Sequence, residues 1–147
     1  MNKTIKVFLD SNVILSGFLS DKGAPRIILD LFSVDLPFLI GITGEYNIIE
    51  IERNLINKLP GAVSVYKEYF PKLNLKIMPL PNKQDVKKYS GIISPKDAPV
   101  LASAVKSKAN YLVTGDKDFI KVKENRSFSI RIVSPGEFLS KIWGHHP

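Results

Sequence analysis

The sequence predicts an α/β protein built on a parallel sheet. Short, nearly continuous apolar runs alternate with helix-patterned segments, two of those runs end in an aspartate, and no repeat, linker or low-complexity stretch interrupts the alternation. Strands that are apolar at successive positions are covered on both faces, as in parallel sheets joined by right-handed helical crossovers. A length of 147 residues suits one domain, residues 1–147, burying roughly two-thirds of its unfolded surface.

Each element follows in order. Residues 4–10 are rich in Ile, Val and Phe and form the first strand, ending at Asp10. Gly23-Ala24-Pro25 opens a helix in which Ile27, Ile28, Leu31 and Phe32 recur at helical spacing, with Pro25 suited to the first turn. Residues 36–42 read as the second strand. After Thr43-Gly44 a long helix places Ile48, Ile51, Leu55 and Leu59 on one face until Pro60-Gly61 ends it. Residues 62–70 form a further helix that stops at Pro71, residues 73–78 a third strand, and residues 83–89 a short helix. Pro95-Lys96-Asp97-Ala98-Pro99 leads into a small-residue helix with Leu101, Ala104 and Val105 on one side and Asp97 at its N-terminus. Residues 110–115 are the fourth strand, Asp118 starts a short helix, residues 130–135 are the fifth strand, and Gly136 to Trp143 close the chain as a helix.

Composition narrows the chemistry. There is no cysteine, so disulfides and thiolate metal sites are excluded. The start, Met-Asn-Lys-Thr, lacks the pattern of a signal peptide, and the most apolar stretch, residues 27–42, carries Asp30, Asp35 and Pro37; a soluble, cytoplasmic protein without membrane contact is expected. The net charge of +7 lies in the second half: residues 1–73 hold 8 basic and 8 acidic side chains, residues 74–147 hold 13 and 6. That excess suits an anionic partner or a lysine-rich solvated surface, and Lys87, Lys88, Lys106, Lys108, Lys117, Lys121 and Lys123 are the candidate phosphate contacts.

In open α/β sheets ligands collect beyond the carboxyl ends of the strands, where strand order reverses, and Asp10 and Asp116 both follow the last apolar residue of a strand. If their strands are neighbours, these carboxylates meet. Ionised carboxylates held together repel one another and raise their own pKa values, a penalty that a divalent cation removes. Oxygen donors without cysteine point to a hard ion, Mg²⁺ or Mn²⁺, which activates water and neutralises charge on a phosphate. His145 and His146 stand beside the C-terminal Pro147, where a frayed tail is expected, so no histidine remains for general-base work. Trp143 and the tyrosines can stack on bases, although core packing accounts for most of them.

The residues also carry a resemblance. FLDSNVILSG at 8–17, Glu50 five residues before Leu55, KDAPVLASA at 96–104 and YLVTGDKDF at 111–119 resemble the four acidic motifs of the PIN-domain ribonucleases, in the right order over nearly the whole chain. The likeness is closest to the VapC-like toxin components of toxin–antitoxin pairs. It implies a three-layer α/β/α fold with a five-stranded parallel sheet of order 3-2-1-4-5, Mg²⁺- or Mn²⁺-dependent cleavage of single-stranded RNA leaving a 5′-phosphate and a 3′-hydroxyl, a homodimer, and a cognate antitoxin.

By that resemblance Asp10, Glu50, Asp97 and Asp116 are the catalytic, metal-binding acids. Taken singly, Asp10 and Asp116 also read as turn aspartates, and Asp97 as a helix cap, a role compatible with ligation. The helix carrying Glu50 also holds Glu45 and Glu52; one extra residue after Thr43 shifts the usual spacing, so Glu52 stands in reserve. Asp118 is either a fifth acid acting on the metal or the cap of its helix. Ser11, Asn12 and Thr114 are short polar residues that either orient the carboxylates or make ordinary turn hydrogen bonds. A phosphatase of the haloacid-dehalogenase kind needs Asp-x-Asp after the first strand, where this chain has Asn12. Phosphate-loop, dinucleotide and serine-hydrolase motifs are absent. The rival expectation is a non-catalytic PIN module that binds RNA or a protein partner.

Overall fold

The computed structural model describes residues 3–143. Ile5, Val7, Phe8 and Leu9 make β1 (Ile5–Leu9) apolar on both faces, and it takes the central place in the sheet. β2 (Leu39–Gly44) pairs with it on one side, with β3 (Lys76–Met78) outside β2. β4 (Tyr111–Val113) pairs on the other, with β5 (Arg131–Val133) outside it. All four pairings are parallel, and the order is β3-β2-β1-β4-β5. The chain therefore reverses its direction of growth between β1 and β4, which creates a crevice at their carboxyl ends.

Side-chain alternation sends Val7, Leu9 and Val113 to one layer and Phe8, Leu112 and Ile132 to the other. The first layer holds α1 (Ser11–Leu19), α2 (Ala24–Ser33), the Ile51 and Leu55 face of α3 (Glu45–Lys58), α4 (Val63–Tyr69) and α8 (Pro135–Trp143). The second holds α5 (Lys83–Tyr89), α6 (Ala98–Lys106) and α7 (Lys117–Lys121). These are the three layers that the resemblance implies. Among the described residues no helix is long and apolar enough to cross a membrane.

α1 departs from the expected elements. Asp10-Ser11-Asn12 and Gly17 read as turn formers, yet the Asp10 carboxylate accepts the Ser11 N–H at 2.8 Å and its carbonyl receives the N–H groups of Val13 and Ile14, so the helix starts directly on the strand. Burial of Val13 and Ile14 then outweighs weak propensity. Gly17 has a packing reason: a Cβ there would stand 2.5 Å from Leu29 Cδ1, so its absence lets α2 approach.

The strands also differ in extent: β4 and β5 keep only Tyr111–Val113 and Arg131–Val133 of the expected 110–115 and 130–135, because the chain turns at Thr114-Gly115 into the Asp116 cap and enters α8 at Pro135. β2 begins at Leu39 rather than residue 36, because Asp35 turns the chain at φ 54° and Leu36 accepts a turn hydrogen bond from Leu39. The change carries Thr43 and Gly44 into the strand. β3 is only Lys76–Met78, since residues 70–73 close a 3₁₀ turn onto left-handed Asn74. Trp143 is about half exposed at the end of α8, whereas Tyr66 and Tyr89 are buried. His145 and His146 lie outside the described residues.

Candidate metal centre

The ends of β1 and β4 bring the acids together through a set of fixed hydrogen bonds. The Asp10 N–H donates to the Val113 carbonyl at 3.0 Å, so Asp10 continues the ladder by one residue before its side chain turns to cap α1. That carboxylate is 5% exposed. One oxygen accepts from the Ser11 N–H and from Asn47 Nδ2 at 3.1 Å; the other accepts from Thr114 Oγ1 at 2.7 Å and from Asn12 Nδ2 at 3.4 Å. Even so, burial, reinforced by the charges of Glu50 and Asp97, pushes the Asp10 carboxyl up to about 6 against those stabilising bonds.

Thr114 links the two strands' acids. Its hydroxyl donates to Asp10 and accepts the Asp116 N–H at 3.0 Å, while Asn12 Oδ1 accepts the Gly115 N–H at 3.1 Å. Asp116, not Asp118, caps α7: its Oδ1 accepts the Asp118 N–H at 2.9 Å. Asp97 stands at the cap position of α6 without a side-chain capping bond. Its carboxylate turns instead to Ser94 Oγ at 2.8 Å and Lys96 Nζ at 3.2 Å, and burial raises its pKa.

From α3, Glu50 Oε1 accepts the Ser11 hydroxyl at 2.6 Å and lines the same cleft as Asp10, Asp97 and Asp116, whereas Glu52 does not line it and its charge acts on the buried Tyr66. The cleft encloses about 140 Å³. Oxygens of Asp97, Asp116 and Asp118 lie within 4.8 Å of one another. Asp10, Glu50, Asp97 and Asp116 thus line one crevice, and Asp118 joins Asp97 and Asp116 beside it. The five stand in two parts: Asp10 and Glu50 on the α1 and α3 side, the other three on the α6 and α7 side. A larger cleft of about 630 Å³ opens at the opposite end of the sheet, beside Lys108 and Arg131, away from these acids.

The donor set fits a small hard cation. Asp97, Asp116 and Asp118 offer clustered oxygens, the hard donors that Mg²⁺ or Mn²⁺ would take. Burial, with repulsion between the acids added to it, raises Asp10 and Asp97, and the positive charge of a cation would offset both effects.

Three contributors escaped sequence reasoning: Asn47, Ser94 and Lys96. Asn47 was detectable in principle, because Asn47, Glu50 and Asn54 recur at spacings of three and four beside the apolar Ile51 and Leu55. Its amide donates to Asp10 and to Ser11 Oγ at 2.9 Å, and a Cβ at Gly44 would press within 2.9 Å of its Oδ1. Of the candidate phosphate contacts, Lys117 and Lys121 lie on α7, which begins at Asp116. Lys106 instead pairs with Asp85 at 3.6 Å, and Lys108 lines the distant cleft.

Comparison with known sequences supplies the family. The pattern of the PIN domain family matches residues 6–118. The chain belongs to the PIN-domain family. A search of curated proteins finds no significant match. Among solved structures, this PIN domain is similar to a chain of VapBC2 from Rickettsia felis bound to a promoter DNA fragment, at 14% identity and a TM-score of 0.63, covering 88% of this chain and 98% of that one. DNA-bound VapBC from Salmonella typhimurium gives 14% and 0.62, covering 90% and 99%. VapBC-1 from nontypeable Haemophilus influenzae gives 16% and 0.61, again covering 90% and 99%. At such identities the likeness establishes the fold of the PIN domain alone.

Proposed function

We propose that the protein is a metal-dependent endoribonuclease that hydrolyses single-stranded RNA, and that it is the toxin of a toxin–antitoxin pair. The observation that carries the proposal is the convergence of Asp10, Glu50, Asp97 and Asp116 on one crevice at the switch point of the sheet, with Asp118 clustered beside Asp97 and Asp116. Asp10, Glu50, Asp97 and Asp116 hold Mg²⁺ or Mn²⁺, and Asp118 joins directly or through water. When bound, the ion supplies positive charge to the phosphodiester and a lowered pKa to water.

The chain's own residues supply the rest. Thr114, Ser11 and Asn47 hold the Asp10 and Glu50 carboxylates in place, and Glu50, at the exposed rim, is placed to take a proton from an attacking water. Lys117 and Lys121 hold the RNA backbone beside the acids. Resemblance to VapC-like toxins, together with the fold shared with VapBC chains, supports a cytoplasmic homodimer restrained by an antitoxin that covers the cleft. The test is calorimetric titration with Mn²⁺ alongside incubation with end-labelled RNA. Binding and cleavage to 5′-phosphate products are expected; a folded chain that binds no Mn²⁺ and leaves RNA intact is a non-catalytic module.

A further inference from the structure

Among the described residues, Lys96 is the one basic residue that lines the acid cleft, and it does not point away from the acids. Its Nζ lies 3.2 Å from Asp97 Oδ2, 3.3 Å from Asp97 Oδ1 and 3.3 Å from Asp116 Oδ2. Two of the three clustered carboxylates that are candidates for a divalent ion are therefore already partnered by an ammonium. We propose that Lys96 is a tethered cation that competes with the metal for Asp97 and Asp116, keeping the metal-free site neutralised and setting the concentration at which metal enters. The inference rests on the metal-dependent reading above.

Two features make Lys96 displaceable without unfolding the site. Its backbone is anchored: the Tyr46 hydroxyl donates to the Lys96 carbonyl at 3.3 Å, and the N–H groups of Asp97 and Ala98 both donate to the Ser94 carbonyl at 3.0 Å. Its side chain is free to leave, being 64% exposed on a flexible four-carbon stem. The carboxylates it neutralises are far less accessible, at 9% for Asp97 and 20% for Asp116, so water screens them poorly when the ammonium departs. An ammonium and a divalent ion cannot occupy the same oxygens at contact distance, because like charges that close repel strongly. Metal entry must then expel Lys96, and the work of breaking those contacts is subtracted from metal affinity. Ser94, by contrast, donates to Asp97 as a neutral hydroxyl at 2.8 Å and has no charge to oppose the metal.

The experiment is calorimetric titration of the metal-free chain with MnCl₂, without RNA, on the native protein, Lys96→Met, Lys96→Gln and Lys96→Arg. Removing the charge is expected to tighten Mn²⁺ binding about tenfold in both neutral variants, while the arginine variant stays within about twofold of native. Thermal melts in EDTA supply a second readout, in which the neutral variants melt lower than native and gain more on addition of Mn²⁺. Unchanged or weaker Mn²⁺ binding in the neutral variants overturns the role of Lys96 while leaving the metal site standing. Failure of every form to bind Mn²⁺ overturns the metal site and the inference with it.

Discussion

Asp10→Asn removes a buried charge while nearly preserving shape, which makes its effect calculable. Burial, with Glu50 and Asp97 adding repulsion, raises the Asp10 carboxyl from 3.8 to about 6 in the metal-free fold. An aspartate raised in this way contributes its full stability below the unfolded pKa, where both states hold the proton, and loses it as pH climbs through the folded value. The gap between 3.8 and about 6 corresponds to about 3 kcal/mol lost by pH 8. Asparagine keeps an acceptor for Ser11 N–H and Asn47 Nδ2, but its amide meets Thr114 Oγ1, which must turn from donor to acceptor. That rearrangement costs about 1 kcal/mol. In urea denaturation without divalent metal, the variant should therefore be about 1 kcal/mol less stable than native at pH 4 and about 2 kcal/mol more stable at pH 8. Parallel stability curves for the two proteins across that range would refute the claim that Asp10 is ionised against its environment.

Further outcomes follow from the same geometry. Asp116→Asn should abolish cleavage of labelled RNA, and Glu50→Gln should slow it by about two orders of magnitude or more, whereas Glu52→Gln, outside the cleft, should leave the rate within about twofold. Thr114→Val removes the donor to Asp10 and the acceptor for the Asp116 N–H, so Mn²⁺ affinity measured by calorimetry should fall about tenfold or more. Addition of Mn²⁺ at pH 8 should raise the melting temperature of the native chain and leave that of Asp10→Asn nearly unmoved. Gly41→Ala places a Cβ against Leu75 and 2.8 Å from the Phe32 ring, a clash that should cost about 1–3 kcal/mol in urea denaturation.

The sheet was legible because its signal is local. Phe8 and Leu9, Ile42, and Leu112 and Val113 are apolar runs whose alternate faces both need cover, and parallel order with right-handed crossovers follows from that need. α1 was not legible, because Asp10, Ser11 and Gly17 favour a turn by propensity and only the packing of Val13, Ile14 and Leu29 makes a helix of them. Asp10 and Asp116 could be paired from sequence, since each follows the apolar run of a strand, and those strands are adjacent. Choosing between Glu50 and Glu52 required the direction of each side chain around α3, which the hydrogen bond from Ser11 displays and the sequence does not. Lys96 was hidden for a similar reason. A lysine beside an aspartate in a turn is ordinarily solvated, and its reach to Asp116, 20 residues on, exists only after α6 and β4 have packed.

The acids that sequence reasoning treats as equivalent differ in their mechanical situation. Asp10 is gripped by four donors from α1, α3 and the end of β4, so its oxygens have little freedom. Asp97, Asp116 and Asp118 sit on helix starts with fewer fixed partners, and the first two share a lysine. A site of this kind has one preset side and one adjustable side. Donors to Asp10 lower its raised pKa without cancelling it, so the fold accepts a standing penalty at Asp10 in exchange for a carboxylate held ionised and aimed into the crevice. A purely structural cap for α1 has no need of that penalty, because serine or asparagine caps a helix about as well as aspartate. On the proposed function, the excess charge at position 10 has its physical explanation in the cation that the crevice would bind.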